Sequence, residues 1–360
     1  MHLVPHRPLQ RAPDGRSGRG GLRLPAVSSG TRFVTVATAS LVVLAVATVL
    51  SLGLGSHPVA PGAVVDALLR FDPSDDDHLI VVSSRLPRAA LCIVVGVGLS
   101  VAGAVMQSLT RNPLAEPGLL GLNAGASLAV VVGIVFFGVT DLVGYLGFAF
   151  LGAALAAVAV YALGTAHRSG ATPARMALAG AAIAMFLSAI TTAVLLSRES
   201  AYDQFRFWAV GTLQGRGLEV TATVLPFIAV GAVGALLLAR PLNALALGDD
   251  SARSLGVSAP LSRGGGGLVV VLLAGAATAA AGPIGFIGLV APHVVRMLVG
   301  SDHRFLIPAT LVVGPATLMV ADVLGRVVIA PGEIPTAVAA AIIGGPVFVA
   351  LVRSRRKIAG

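Results

Sequence analysis

Residues 264–295 read GGGGLVVVLLAGAATAAAGPIGFIGLVAPHVV, a run with no Asp, Glu, Lys or Arg. An α-helix rises about 1.5 Å per residue and needs about 20 apolar residues to cross a hydrocarbon layer about 30 Å thick. The run is too long for one crossing and too apolar for a soluble loop. Gly282-Pro283 interrupts it, since proline lacks a backbone donor and clashes with the turn before it. We divide it there into one helix ending near Ala281 and another from about Ile284 to Val299.

Outward from that break, uncharged stretches recur at 33–65, 89–110, 117–140, 142–167, 176–197, 220–239, 305–321 and 334–352, which brings the segments to ten. Lipid offers backbone N–H and C=O groups no partners, so apolar segments of this length are helices rather than strands of a barrel. The expected fold class is all-α: a polytopic membrane protein with about ten transmembrane helices. Composition agrees, with 56% of the 360 residues hydrophobic and 11% charged, against about 25% charged in an ordinary soluble domain. Small residues crowd the segments, as in Ala153-Ala154-Leu155-Ala156-Ala157, and they let helix backbones approach closely.

A net charge of +9 raises the question of nucleic acid, and the location of the charge answers it. With the N-terminus in the cytoplasm and ten alternating crossings, 18 of the 25 Lys+Arg fall inside and seven outside. That is the positive-inside pattern of a multi-pass protein of the cell (cytoplasmic) membrane, both termini cytoplasmic. No nucleic acid is expected as a partner; the lipid bilayer is. Residues 1–32, with six arginines among Gly, Pro and Ser, read as a disordered basic cytoplasmic tail, and 33–360 as the membrane domain. The run from Phe33 to about Gly55 exceeds the apolar core of a signal peptide, so it reads as a retained helix. The lone Cys92 reads as a packing residue.

Between the segments, His57 to Ser84 reads as an extracytoplasmic solvated loop with the cluster Asp75-Asp76-Asp77. The longest cytoplasmic connection is 240–263. Within it Asp249 to Leu255 reads as a short helix, with Gly248 before it and Gly256 as its stop, followed by a second short turn after Ser258.

Little in this chain can do covalent chemistry. A P-loop needs a Gly-Lys-Ser/Thr step, and Lys357, the only lysine, precedes Ile358. Any ATP must be hydrolysed by a partner, and the chain reads as a non-enzyme. A proton relay would place carboxylates in mid-membrane; Glu116 reads as a residue of a cytoplasmic turn and Asp322 lies near the outer end of the ninth helix, four residues from Arg326 on one face. His293, after Pro292, has no Cys, Asp or second His at ligand spacing, so it reads as a core residue and no metal site is expected. Arg85-Leu86-Pro87-Arg88, immediately outside the second helix, and Arg326 sit where topology disfavours arginine. Each reads either as a headgroup anchor or as a planar donor fork for a partner's carboxylate.

Several strings together resemble one family, the FecCD-type permeases that import iron-siderophores, haem and cobalamin. They are Arg85-Leu86-Pro87-Arg88, Gly103-Ala104-Val105-Met106-Gln107, Arg111-Asn112-Pro113-Leu114-Ala115-Glu116-Pro117-Gly118-Leu119-Leu120-Gly121, Ala246-Leu247-Gly248 with Leu255-Gly256-Val257, Gly282-Pro283-Ile284-Gly285-Phe286-Ile287-Gly288-Leu289 with Pro292-His293, and Ala321-Asp322 with Arg326. The resemblance implies a type II ABC importer permease, homodimeric or heterodimeric, with its path at the subunit interface. Two cytoplasmic ATP-binding subunits would use ATP, with no cofactor bound by this chain. Coupling to them is implied for Gly248, Asp249, Ala252, Leu255 and Gly256. Docking of an extracytoplasmic substrate-binding protein is implied for Arg85, Arg88 and Arg326, and the translocation path or its motifs for Gln107, Asn112, Pro113, Gly282, Pro283, Pro292 and His293. The implied cargo is a metal chelate, foremost an iron-siderophore, with haem or cobalamin as alternatives; an ion-coupled secondary transporter is the rival from another class. The basic tail is longer than the resemblance requires, and Phe205, Phe207 and Trp208, in the loop Arg198 to Gly217, match no ligand.

Overall fold

The computed structural model describes residues 29–166 and 173–356; of the tail read over 1–32, residues 1–28 lie outside the described residues, and residues 29–32 are helical rather than disordered. All regular structure among the described residues is helical. In order the helices are α1 (Ser29–Gly53), α2 (Pro61–Leu69), α3 (Asp76–Leu109), α4 (Leu122–Phe137), α5 (Leu142–Thr165), α6 (Pro173–Ser197) and α7 (Glu199–Ala209). They continue with α8 (Leu218–Leu237), α9 (Ala239–Ala246), α10 (Asp249–Ser254), α11 (Ala259–Ala281), α12 (Ile287–Val299), α13 (His303–Val327) and α14 (Thr336–Arg356). Seven of them, α1, α3, α5, α6, α8, α11 and α13, are long and apolar enough to cross a membrane, and the apolar helices Leu122–Phe137, Ile287–Val299 and Thr336–Ala350 are shorter. These occupy the ten segments read from the sequence.

Helix α3 is the central column, with α13, α12, α8 and α11 packed around it. Its Leu91, Cys92, Val95, Val101, Ala102 and Ala104 are fully shielded. Helices α4, α5 and α6 form a second group, and α1 lies along α13. Large apolar side chains such as Leu155, Val158, Leu178, Met185, Phe186 and Leu196 face outward, as a surface bathed in lipid requires.

Three expectations change. The segment 57–84 is not a loop: α2 lies in it, and Asp75 caps α3 by accepting the N–H groups of Asp77 and His78. Asp76 and Asp77 then fill the first turn, where the helix dipole favours negative charge. Arg85-Leu86-Pro87-Arg88 consequently lies within α3 rather than outside a helix. A π turn over Ile80–Arg85 accommodates Pro87, which has no N–H to donate. The loop 198–217 is largely α7, whose Phe205 and Trp208 are buried while Phe207 is 67% exposed.

The break at Gly282 is where expected, although α12 starts at Ile287 rather than Ile284. Gly282 takes φ 75°, and the terminal carbonyls of α11 are satisfied from α7 and the turn after it. Trp208 Nε1 donates to Ala279 O at 3.1 Å and Thr212 N to Ala281 O at 2.8 Å. Such partners are needed because the last carbonyls of a helix have none within it. Phe286, just before α12, also has positive φ, 69°.

Below the break α12 crosses α3 at the closest approach of the bundle core. A Cβ on Gly103 would overlap the Gly288 carbonyl, and one on Gly288 would stand 2.8 Å from Leu99 O. Both neighbours are backbone and cannot yield cheaply. Gly103→Ala should therefore lower the melting temperature in detergent, by an amount matching the roughly 1–3 kcal/mol of an overpacked core. Gly147→Ala, with open space around its Cβ, should leave it within error; equal melting temperatures for both variants would contradict this crossing.

Candidate functional site

Polar side chains converge at the end of the bundle that the sequence reading takes as outer, at the break, and at the opposite end, taken as inner. At the outer end Asp322 of α13 is 1% exposed and gathers two guanidiniums. Arg88 of α3 donates from Nε to Asp322 Oδ2 at 3.0 Å and from Nη2 to Oδ1 at 2.9 Å. Arg326 Nη2 stands 3.0 Å from Asp322 Oδ2 and donates to Ser51 Oγ at 2.6 Å. Thr336 Oγ1 adds a hydrogen bond to Asp322 Oδ1 at 2.8 Å. Glu333 reaches in from the rim to take Arg88 Nη1 at 2.6 Å. Arg85 is held by carbonyls, donating to Leu52 O at 2.6 Å and to His57 O. All three arginines implied in docking are thus buried, at 5%, 6% and 2% exposure for Arg85, Arg88 and Arg326, and engaged by this chain's own atoms. The four-residue spacing of Asp322 and Arg326 does make an ion pair, within the bundle rather than at its surface.

At the break the structure assigns Glu116 a place the sequence reading missed. Its Oε1 accepts the N–H of Phe286 at 2.8 Å. A small cavity beside it is lined by Glu116, Asn123, Thr278, Leu99, Ile284 and Gly288. Nothing in the local sequence links Glu116 to a residue so far along the chain. Gln107 is buried and bridges inward: Arg296 Nη1 donates to its Oε1 at 2.8 Å, and its Nε2 faces the carbonyls of Gly288 and Leu289 at 3.4 Å. Pro292 and His293 are buried inside α12, away from the outer cluster. No group of His, Cys, Asp and Glu among the described residues is arranged to hold a metal ion.

At the inner end, α10 is the short helix expected, with Gly248 before it and Gly256 at φ 77° after it. Ala252 is fully buried and fastens the helix to the bundle, while Leu255 is 63% exposed beside Asp250 and Arg253, which also face outward. Asp249 is gripped from two sides. Arg263 Nη2 lies 2.8 Å from its Oδ1, and Arg111 Nη2 lies 2.9 Å from the same oxygen while also donating to Leu245 O at 2.7 Å. Hydrogen bonding from Arg263 holds the Asp249 carboxyl below its usual range. Asp302, at the start of α13, is lowered in the same way by Arg304 and also accepts from Asn243 at 2.7 Å. Carboxyls with depressed pKa stay charged below their ordinary titration range, so these contacts hold at neutral pH and are lost only as pH falls through the lowered values. Asn112 and Pro113 sit in the turn between α3 and α4, where Asn112 Oδ1 accepts Leu114 N–H at 3.0 Å.

Residues 43–354 match the FecCD transport family. The ferric enterobactin transport system permease protein FepD of Escherichia coli (strain K12) is 43% identical over 332 residues, 91% of this chain and 99% of that protein. The cobalamin import system permease protein BtuC of Halobacterium salinarum is 36% identical, over 89% of both. A solved metal-chelate type ABC transporter in an inward-facing conformation superposes with a TM-score of 0.77 at 27% identity, covering 89% of this chain and 99% of that one. With the all-helical bundle, its broken segment and its inner helix matched along most of the chain, this protein belongs to the FecCD transport family.

Proposed function

We propose that this chain is the permease subunit of an ABC importer that carries a ferric siderophore across the cell inner membrane, with both termini cytoplasmic and the pathway formed with a second permease subunit. The observation that carries the reading is α10. It is a buried-anchored, doubly ion-paired helix from which Asp250 and Arg253, with Leu255 just after it, project outward, on a chain whose sequence carries no P-loop. Such an element is suited to seat in a partner ATPase, with Gly248, Asp249, Ala252, Leu255 and Gly256 setting its shape. Two ATP-binding subunits would supply the energy, and a substrate-binding protein the affinity for cargo. Gln107, Asn112, Pro113, Gly282, Pro283, Pro292 and His293 flank the moving parts of the path. Cobalamin is the second reading of the cargo, favoured by the likeness to the cobalamin permease; haem would use the same machinery.

Docking at the outer end is proposed for Arg85, Arg88 and Arg326 in a specific form. Arg88 is bonded to Glu333, whose side chain is 16% exposed, so an acidic residue of the binding protein reaches Arg88 by displacing Glu333. Removing that competitor should tighten association severalfold, since about 1 kcal/mol less competition is about a fivefold change in Kd. Titrating loaded binding protein onto the Glu333→Gln permease checks this, and unchanged affinity removes Arg88 from docking. Asp322→Ala, by contrast, leaves two buried guanidiniums without their carboxylate, which costs about 3–5 kcal/mol. We expect it to lose folded protein in detergent, read by size-exclusion recovery.

The reading as a whole is tested in proteoliposomes. Uptake of labelled ferric siderophore should require the ATPase subunits, the binding protein and ATP. Uptake by the permease alone, driven by an ion gradient, would overturn it in favour of the secondary transporter.

A further inference from the structure

We infer that the turn between α3 and α4 is a mechanical link between α10 and the α11–α12 break, with Arg111 and Glu116 as its positioning residues. The inference rests on the coupling role proposed for α10. Arg111 grips Asp249, the first residue of α10, at 2.9 Å, and Leu245 O at 2.7 Å. Five positions further on, Glu116 grips the Phe286 N–H at 2.8 Å, immediately before α12. The intervening chain is stiff. Arg111 has φ 49°, Asn112 N donates to Gln107 O at 3.1 Å, and Ala115 N donates to Asn112 O at 3.1 Å. Asn112 Oδ1 takes Leu114 N–H, Pro113 fixes its own φ, and Ala115 is 2% exposed.

What lies at the far end is a joint. Gly282 and Phe286 both carry positive φ, and the segment between them interrupts the apolar run 264–295. Glu116 reaches the first free donor of α12, where the helix dipole favours its carboxylate. A displacement of α10 toward or away from the bundle therefore acts on Asp249, then Arg111, then Glu116, and arrives as a pull on the start of α12. The continuous helices offer no such short route, because α11 leads from α10's neighbourhood to the break only through its full length and its π turn over Val271–Gly275. The Arg111–Asp249 pair is about half exposed and such pairs add little to folding stability, so its loss alters transmission rather than the fold.

Two readouts on the same variants test the link. In hydrogen exchange on the purified full-length permease, Arg111→Ala should speed exchange not only at α10 but also across 283–288, as Glu116→Ala should, while Glu116→Gln, which keeps an acceptor oxygen, should restore protection. Exchange confined to α10 in Arg111→Ala would overturn the link, whatever the protein transports. In proteoliposomes with the ATPase and binding protein, Arg111→Ala and Glu116→Ala should each lower cargo moved per ATP hydrolysed by about tenfold with hydrolysis retained. Because the two residues act in series, the double variant should fall no further than the worse single one. A double variant as low as the product of the two losses would also overturn the inference. If wild type itself moves no cargo with ATP, the proposed function fails while the exchange result still decides the link.

Discussion

A guanidinium surrounded by apolar helices and lipid must find a carboxylate or carbonyl within its own chain, and the outer end of this bundle is arranged around that requirement. Asp322 stands between Arg88 and Arg326, so α3 and α13 are joined by charge, and α1 is drawn in through Ser51. Pairs of this kind are weak evidence for net stability, because desolvation offsets much of the attraction. Their effect is selective: one register of α3 against α13 brings Arg88 onto Asp322, and sliding either helix by a turn leaves the Arg88 guanidinium stranded. Glu333 extends the cluster to the rim, where it is the member accessible to another molecule.

The core beneath that end is assembled by a different rule. Hydrophobic association does not drive helices together in lipid, so contact area and close approach do. Gly103 and Gly288 bring backbones of α3 and α12 into contact, and this fixes where the short α12 sits. Its start is then held by Glu116, and its interior faces Gln107 through Arg296. A helix of 13 residues is too short to cross alone at about 1.5 Å per residue; here the segment Gly282 to Phe286 precedes it, with Gly282 and Ile284 buried in protein.

The inner end combines an anchor with an exposed tip. Ala252 and the Asp249 ion pairs fasten α10, and the residues that project are those able to contact a partner. Under the proposed coupling role, this division is what α10 needs. An element that hung freely would absorb the motion, and one that was fully buried could not be reached.

The sequence by itself determined the membrane class, the ten apolar segments, the interruption at Gly282-Pro283 and the short helix between Gly248 and Gly256. Each is a local property: length without charge, a residue lacking an N–H, glycine on either side of a helical turn. Helix α2 was hidden because its nine mostly apolar residues do not stand out after the apolar run before them, and α7 because a short polar helix carries charges like those of a loop; the Phe205-Trp208 spacing was the signal for α7, as the Asp75 cap was for the start of α3. The tertiary structure alone decided that Arg85, Arg88 and Arg326 are turned inward, that Asp322 gathers Arg88 as well as its helical neighbour Arg326, and that Glu116 serves Phe286. The Arg88–Asp322 and Glu116–Phe286 contacts join residues more than a hundred positions apart. No periodicity records them, because they follow from which helices come to lie side by side.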